Sequence, residues 1–211
     1  MNEAKDMQID LRKRLTERPS KELTLTVARE ALADTEVLKE LLNLLYEGDD
    51  PMRWRAAWVL EKVSERKPSL LAKERNSIVA MVTNGNGPDG LRRLLMSILH
   101  NLPDDRDIDV ELLNYLLATM LDLKAPPGVQ ALAMKLAARI SSRHEELHEE
   151  FYCIVRNMEL EYYSPGVRSA VKQCLKKNKK DWYKRLVYEK EYYRDCRWGN
   201  PASGIQDEQA D

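Results

Sequence analysis

Apolar residues return along this chain with the spacing of one helix face, and the faces themselves return at a fixed interval. Leu91, Leu94, Leu95, Ile98 and Leu102 fall on one stripe, and Leu132, Leu136 and Ile140 on another. Each such stripe follows a junction in which a Pro, Asp or Gly turn runs straight into an amphipathic segment. The junctions are Asp50-Pro51-Met52-Arg53-Trp54-Arg55-Ala56-Ala57, Pro88-Asp89-Gly90-Leu91-Arg92-Arg93-Leu94-Leu95, Pro126-Pro127-Gly128-Val129-Gln130-Ala131-Leu132-Ala133 and Ser164-Pro165-Gly166-Val167-Arg168-Ser169-Ala170-Val171. Positions 51, 89, 127 and 165 stand 38 residues apart each time. Pro pre-sets the φ of a first helical turn, and Asp or Ser caps the free N–H groups there, so a helix is predicted to start at each junction.

Partner helices are predicted between the junctions, over roughly 36–46, 69–82, 110–123 and 145–158. One of them carries the stripe Leu112, Leu113, Leu116, Leu117 and Met120. A pair of helices joined by a short turn cannot bury both apolar faces alone, so neighbouring pairs must stack, and a repeat of this length is the signature of such a stack. Residues 3–33 read as a first, less regular pair acting as an N-terminal cap. The expected organisation is an all-α stack over 1–177, a basic aromatic capping helix over 178–198 and a disordered tail over 199–211.

Composition agrees with helix. Leu, Ala, Lys, Arg and Glu dominate, glycine is scarce, and there is one Phe. A charged fraction of 33% suits helices with heavily charged outer faces. Acids and bases nearly cancel, leaving a formal net charge of −1 that is not concentrated in either half, so any attraction to an anionic partner must be local. Cys153, Cys174 and Cys196 are odd in number and far apart, which predicts reduced thiols rather than a disulfide framework or a thiolate zinc site. No secretory h-region and no run of 18 apolar residues occurs, and the expected home is the cytoplasm, away from membranes.

The junctions resemble the HEAT and armadillo class, in which Asp-Pro-x-x-Arg opens the inner helix of each pair; Asp50-Pro51 with Arg55 fits best, and Gln130 replaces the arginine in the third copy. The stretch from about Glu36 to Lys177 is similar to small bacterial HEAT-like proteins, through Trp54-Arg55-Ala56-Ala57-Trp58-Val59-Leu60-Glu61, Arg92-Arg93-Leu94-Leu95 and Pro165-Gly166-Val167-Arg168. The resemblance implies a right-handed α-α superhelix, a HEAT-like solenoid of about five helix pairs. Arg53, Trp54, Arg55 and Trp58 also resemble, across one helix, the HEAT-like DNA glycosylases, which line a concave groove with Arg, Lys and Trp.

Two motifs look like chemistry. His144-Glu145-Glu146-Leu147-His148 spells H-E-x-x-H, which on a helix sets two imidazoles on one face for zinc. Arg143, Glu146, Glu149 and Glu150 around it are charged where a buried zinc site calls for uncharged neighbours, so His144 and His148 are expected in the solvated opening turn of an outer helix. Gly85-Asn86-Gly87-Pro88-Asp89-Gly90 matches G-x-G-x-x-G, yet Pro88 has no N–H for a pyrophosphate, and an inter-helix turn is expected. No nucleophile, base and orienter assemble from the sequence, so binding is expected rather than catalysis, with no cofactor and no metal.

The candidate binding residues are Arg53, Trp54, Arg55, Trp58, Arg92, Arg93 and Arg168, near the starts of the inner helices. One reading pairs the arginines with turn acids such as Asp50 and Asp89, locking adjacent repeats. The other makes them a basic strip for an acidic peptide or phosphate groups. A secondary candidate is the segment from Lys176 to Trp198, basic and interleaved with aromatics, where Trp182, Tyr183, Lys184 and Arg185 either cap the open end of the stack or meet a ligand. The expected partner is a protein or peptide held on the curved inner face. Nucleic acid is the alternative.

Overall fold

The computed structural model describes residues 11–17, 19–85, 87–103 and 108–186, with side chains as far as Lys176. The elements fall into successive pairs. Helical residues 11–16 (α1) precede α2, Lys21–Ala33; α3, Thr35–Glu47, precedes α4, Asp50–Arg66. A 3-10 segment, Pro68–Glu74, leads through α5, Arg75–Thr83, to α6, Asp89–Asn101. Next come α7, Val110–Leu121, with α8, Pro127–Ser141, and α9, Glu145–Arg156, with α10, Pro165–Leu186, entered through a short 3-10 turn at Leu160–Tyr162. No strand occurs among the described residues. The chain is an all-α helical-repeat solenoid, and each predicted junction opens an even-numbered helix.

The starts follow from local chemistry. The Asp49 carboxylate accepts the Met52 N–H at 3.0 Å, one residue earlier than the Asp50 of the junction motif, and Ser164 Oγ accepts that of Val167 at 3.3 Å. Pro88 and Pro126 precede α6 and α8 without a side-chain cap, so there proline's fixed φ does the setting. Among the partner helices, Asp34 caps α3 and Asp109 caps α7.

Each even-numbered helix packs on the next, α2 on α4, α4 on α6, α6 on α8 and α8 on α10, forming an inner row backed by the odd-numbered helices. Fully buried Ala56, Ala57, Ala133 and Ala137 let these backbones approach closely, and Leu60, Leu94, Leu95, Ile98 and Leu136 join them in one continuous core. Each fully buried Leu or Ile contributes about 1.5–3 kcal/mol, so the stack is held chiefly by apolar contact between repeats.

Side chains add ties across the repeats. Asn101 Nδ2 of α6 donates to Ser64 Oγ of α4 at 3.0 Å, and the Arg139 guanidinium of α8 donates to the carbonyl oxygens of His100 and, at 2.7 Å, Leu102, at the end of α6.

The structure departs from the expected elements in two places. The partner helix predicted over 69–82 is not one α-helix but the 3-10 segment followed by α5. Pro68 opens it, Leu71 is fully buried, and Glu74 at its end accepts the Tyr46 hydroxyl at 2.7 Å. The 3-10 form rises about 2.0 Å per residue, which spans the gap between Leu71 in the core and Glu74 beside α3. At the other end, α10 runs unbroken through Lys177 to Leu186, so residues 178–186 continue the fifth inner helix. The rest of the predicted capping segment, and the tail, lie outside the described residues, as does Cys196; Cys153 is half-buried and Cys174 buried. No helix among the described residues is long and apolar enough to cross a membrane.

Candidate functional site

The arginines at the starts of the inner helices divide into two sets. Arg53 donates through Nη1 to Asp50 and through Nε to the Leu45 carbonyl near the end of α3, both at 3.3 Å. Arg92 donates to Asp89 at 2.5 Å and to the Tyr115 hydroxyl of α7 at 3.4 Å. The acid pairs are internal to α4 and α6, while the second bonds hold α3 to α4 within one pair and α6 to α7 of the next. Arg55, Arg93 and Arg168, by contrast, make no hydrogen bond or ion pair with the described residues; Arg55 is half-buried and the other two are exposed.

The tryptophans sit between the two roles. Trp54 and Trp58, one turn apart on α4, pack their rings 5.3 Å apart at a 45° tilt, and both lean on the core. Trp54 also covers the first turn of α6 at Gly90. The Arg93 side chain covers the first turn of α8 in the same way, its Cδ 3.3 Å from where a Cβ on Gly128 would stand. The ends of α4, α6 and α8 that begin each repeat are thus brought side by side, which places Arg55, Trp58 and Arg93 on neighbouring helices of one row.

Three further cations belong to the same row, of which Lys176 opens the basic aromatic segment and the other two stand in no motif. Lys135 of α8 and Lys172 and Lys176 of α10 are exposed and make no hydrogen bond or ion pair with the described residues. Each helix contributes them singly or at four-residue spacing, with no junction motif to advertise them. The signal that could have found them is a missing one: no Asp or Glu occurs from Ala125 to Arg143 or from Ser164 to Lys180. Arg139 belongs to this stretch by sequence but is committed to the carbonyls at the end of α6.

Elsewhere on the inner row a cation is tied to acids of its own helix. Lys62 on α4 is held among Glu61 and Glu65, at 3.3 and 2.6 Å. Burial tends to lower its pKa, but the hydrogen bond to Glu65 and the field of Glu61 carry it above the ordinary lysine value. On α7 and α9 of the outer row, by contrast, stand Glu111, Glu145, Glu146, Glu149 and Glu150, with Arg156 the one Lys or Arg of the two helices. Between these two helices lies a cleft of about 130 Å³ lined by Val110, Leu113, Leu147, Glu150 and Phe151.

The H-E-x-x-H motif falls at the mouth of α9. His144 is its N-cap residue, with extended backbone (φ −130°, ψ 126°) and an exposed side chain, while His148 lies within the helix with its ring 4.6 Å from that of Tyr152. The two imidazoles are therefore not a helical pair on one face. Among the described residues no group of three or more His, Cys, Asp or Glu side chains converges as metal ligands would. The glycine motif is a turn: Gly85 and Gly87 take φ of 65° and 116°, and Gly90 is already inside α6. Trp182, Tyr183, Lys184 and Arg185 fall on the last turns of α10, where their side chains lie outside the described residues.

A family model described as a HEAT repeat domain matches residues 11–178. Among curated proteins and solved structures, nothing matches.

Proposed function

The chain belongs to the HEAT repeat domain family, a helical-repeat scaffold generally used for protein interaction, and from that premise we propose that it binds a protein or peptide partner on the exposed face of its inner row, without catalysing a reaction. Arg55, Trp58, Arg93 and Arg168 carry the contact. Arg53 and Arg92 support it from behind by holding α3 and α7 against α4 and α6.

The observation that carries this reading is the split between adjacent arginines. In α4 and α6, one of the two near the helix start is tied to a turn acid and a neighbouring helix, and the other is left with no partner beside a half-buried tryptophan or a glycine. Arg and Trp dominate the energetics of protein interfaces because they combine large contact area with directed donors. A guanidinium that no internal acceptor satisfies keeps its five donors for a partner.

Capture from extract of the source cell on the immobilised chain, compared with Arg55→Glu and Arg93→Glu, tests it. A partner retained by the parent chain, lost about tenfold in affinity in each variant and reproduced with the purified partner, is the expected result. Equal capture by the parent and both variants removes the inner face from the contact.

A further inference from the structure

The inner row changes character along its length. In α4 and α6 three of the six Lys and Arg residues come with acids one turn away: Arg53 with Asp50, Lys62 with Glu65, Arg92 with Asp89. In α8 and in α10 as far as residue 176 the acids are gone, leaving Lys135, Arg168, Lys172 and Lys176 exposed and unpaired among the described residues. The helices that back this half, α7 and α9, hold Glu111, Glu145, Glu146, Glu149 and Glu150. Charge is sorted by layer here, basic on the inner row and acidic on the outer, in a chain whose total is −1.

Helix stability does not account for the sorting. Arg168 stands in the first turn of α10, where the helix dipole disfavours a cation. Arg168, Lys172 and Lys176 follow one another at four-residue steps, the spacing at which like charges on a helix repel. An exposed face serving only solubility is better served by pairs of the Lys39–Glu36 kind, which the chain uses on α3. Nor do the acids of α7 and α9 neutralise it, since none of these four cations forms an ion pair with a described residue.

We propose that the surface running from Arg55 and Arg93 across Lys135 to Arg168, Lys172 and Lys176 is a docking strip for an acidic segment of a partner protein. The inference rests on the scaffold reading above and adds the chemistry of the partner. Packed helix axes lie about 8–10 Å apart, so the strip from α4 to α10 spans roughly 27 Å. An extended polypeptide at about 3.3 Å per residue covers that in about eight residues. One carboxylate for every two or three residues then meets each successive helix.

The same features favour a polypeptide over nucleic acid. Single-stranded nucleic acid takes much of its binding energy from bases stacked on open aromatic faces. Among the described side chains of the inner row the aromatic rings, Trp54 and Trp58, are packed on each other and on the core. A duplex is drawn by a long-range field, and with acids on the outer row and screening over about 8 Å at physiological salt, this strip acts only at contact range.

The test uses the full chain and a fluorescent decapeptide of alternating Glu and Ser, read by anisotropy at low salt, with a duplex oligonucleotide as competitor. The expected result is saturable binding that fades as salt passes about 0.3 M. The double reversal Lys135→Glu/Lys172→Glu is expected to weaken binding at least tenfold, and Lys39→Glu on the outer row to leave it unchanged, with circular dichroism equal for all three. Absence of peptide binding at low salt overturns the proposal, as does binding indifferent to the double reversal. A duplex that displaces the peptide at lower concentration overturns it too, and assigns the strip to nucleic acid. If the peptide fails while Arg55→Glu still abolishes partner capture, the strip falls and the scaffold reading stands.

Discussion

The indole of Trp54 lies so close over Gly90 that a Cβ added to the glycine would stand 3.1 Å from Nε1 and 3.3 Å from Cδ1. The contact joins the second turn of α4 to the first turn of α6, and it explains why a residue without a side chain stands there although its backbone is ordinary helix. Gly128 and Gly166, one and two repeats later, face only the flexible Arg93 side chain at 3.3 Å and Ser164 Oγ at 3.8 Å. The three glycines share a sequence position and differ in what covers them.

Alanine at the three positions is therefore expected to act in opposite directions. Gly128→Ala and Gly166→Ala gain helix propensity and lose unfolded-chain freedom, raising stability by a few tenths to about 1 kcal/mol. Gly90→Ala has the same gain but must displace a ring wedged against Trp58, and overpacking of that kind costs about 1–3 kcal/mol, so the variant is expected to be less stable than the parent. Urea denaturation of the three variants decides it. A Gly90→Ala protein as stable as Gly128→Ala would mean that Trp54 swings away freely.

Arg139 clasps the end of α6 by donating to the His100 and Leu102 carbonyls. Carbonyls at a helix end have no partner within the helix, so Arg139→Met leaves them unsatisfied and is expected to cost about 1–3 kcal/mol. Arg139→Lys keeps the charge but not the planar fork that reaches both oxygens, and is expected to recover less than half of the loss. Chemical denaturation of the two variants beside the parent measures this. Full recovery by lysine would show that charge alone holds the clasp.

The repeat was legible in the sequence because the same Pro-led junction recurs at 51, 89, 127 and 165, and proline restricts φ whatever surrounds it. The 3-10 segment before α5 was not, since Leu70, Leu71 and Ile78 fit an apolar stripe in either helical form and the Tyr46–Glu74 bond that accompanies it joins residues 28 apart. The candidate site was half legible. Asp50 and Asp89, three residues before Arg53 and Arg92, announce the tied arginines. Which arginine stays unpaired depends on a rotation of about 100° per residue about the helix and on what the next helix offers. Arg139 was invisible as a clasp because its acceptors are backbone carbonyls, which any residue supplies. The α8–α10 strip was invisible as a motif because it is defined by acids that are missing.

The Tyr46–Glu74 bond predicts an alkaline signature. Burial first, and then donation to the Glu74 carboxylate, raises the Tyr46 pKa above its ordinary value of 10.0. A phenol whose folded pKa is raised stabilises the fold fully below the unfolded pKa and loses that contribution as pH climbs from about 10 toward the folded value. Tyr46→Phe is therefore expected to cost about 1–2 kcal/mol near neutral pH, the worth of a hydrogen bond to a charged acceptor, and the gap to the parent is expected to narrow above pH 10. Melting curves of both proteins from pH 7 to about 11 test it. A gap that widens with pH would contradict the assignment of the raised pKa to this contact.

Glu40 of α3 is a weak point in the same repeat. It is 7% exposed, its Oε2 accepts from Asn43 Nδ2 at a long 3.4 Å, and its Oε1 is buried with no hydrogen-bond partner. It lines an open cleft of about 270 Å³ with Arg12, Asn43 and Glu47. A buried carboxylate oxygen without a donor costs about 1–3 kcal/mol, whereas Met fills nearly the same volume with no polar atom to satisfy. Glu40→Met is therefore expected to raise stability by about 1 kcal/mol, while Glu40→Ala, which also empties space beside Leu44, is expected to lower it. Differential scanning calorimetry of the two variants reads the difference directly. A Glu40→Met protein that melts below the parent would show that the carboxylate is held by a charge, with Arg12, which lines the same cleft, the candidate, and that the first repeats depend on that charge more than on packing.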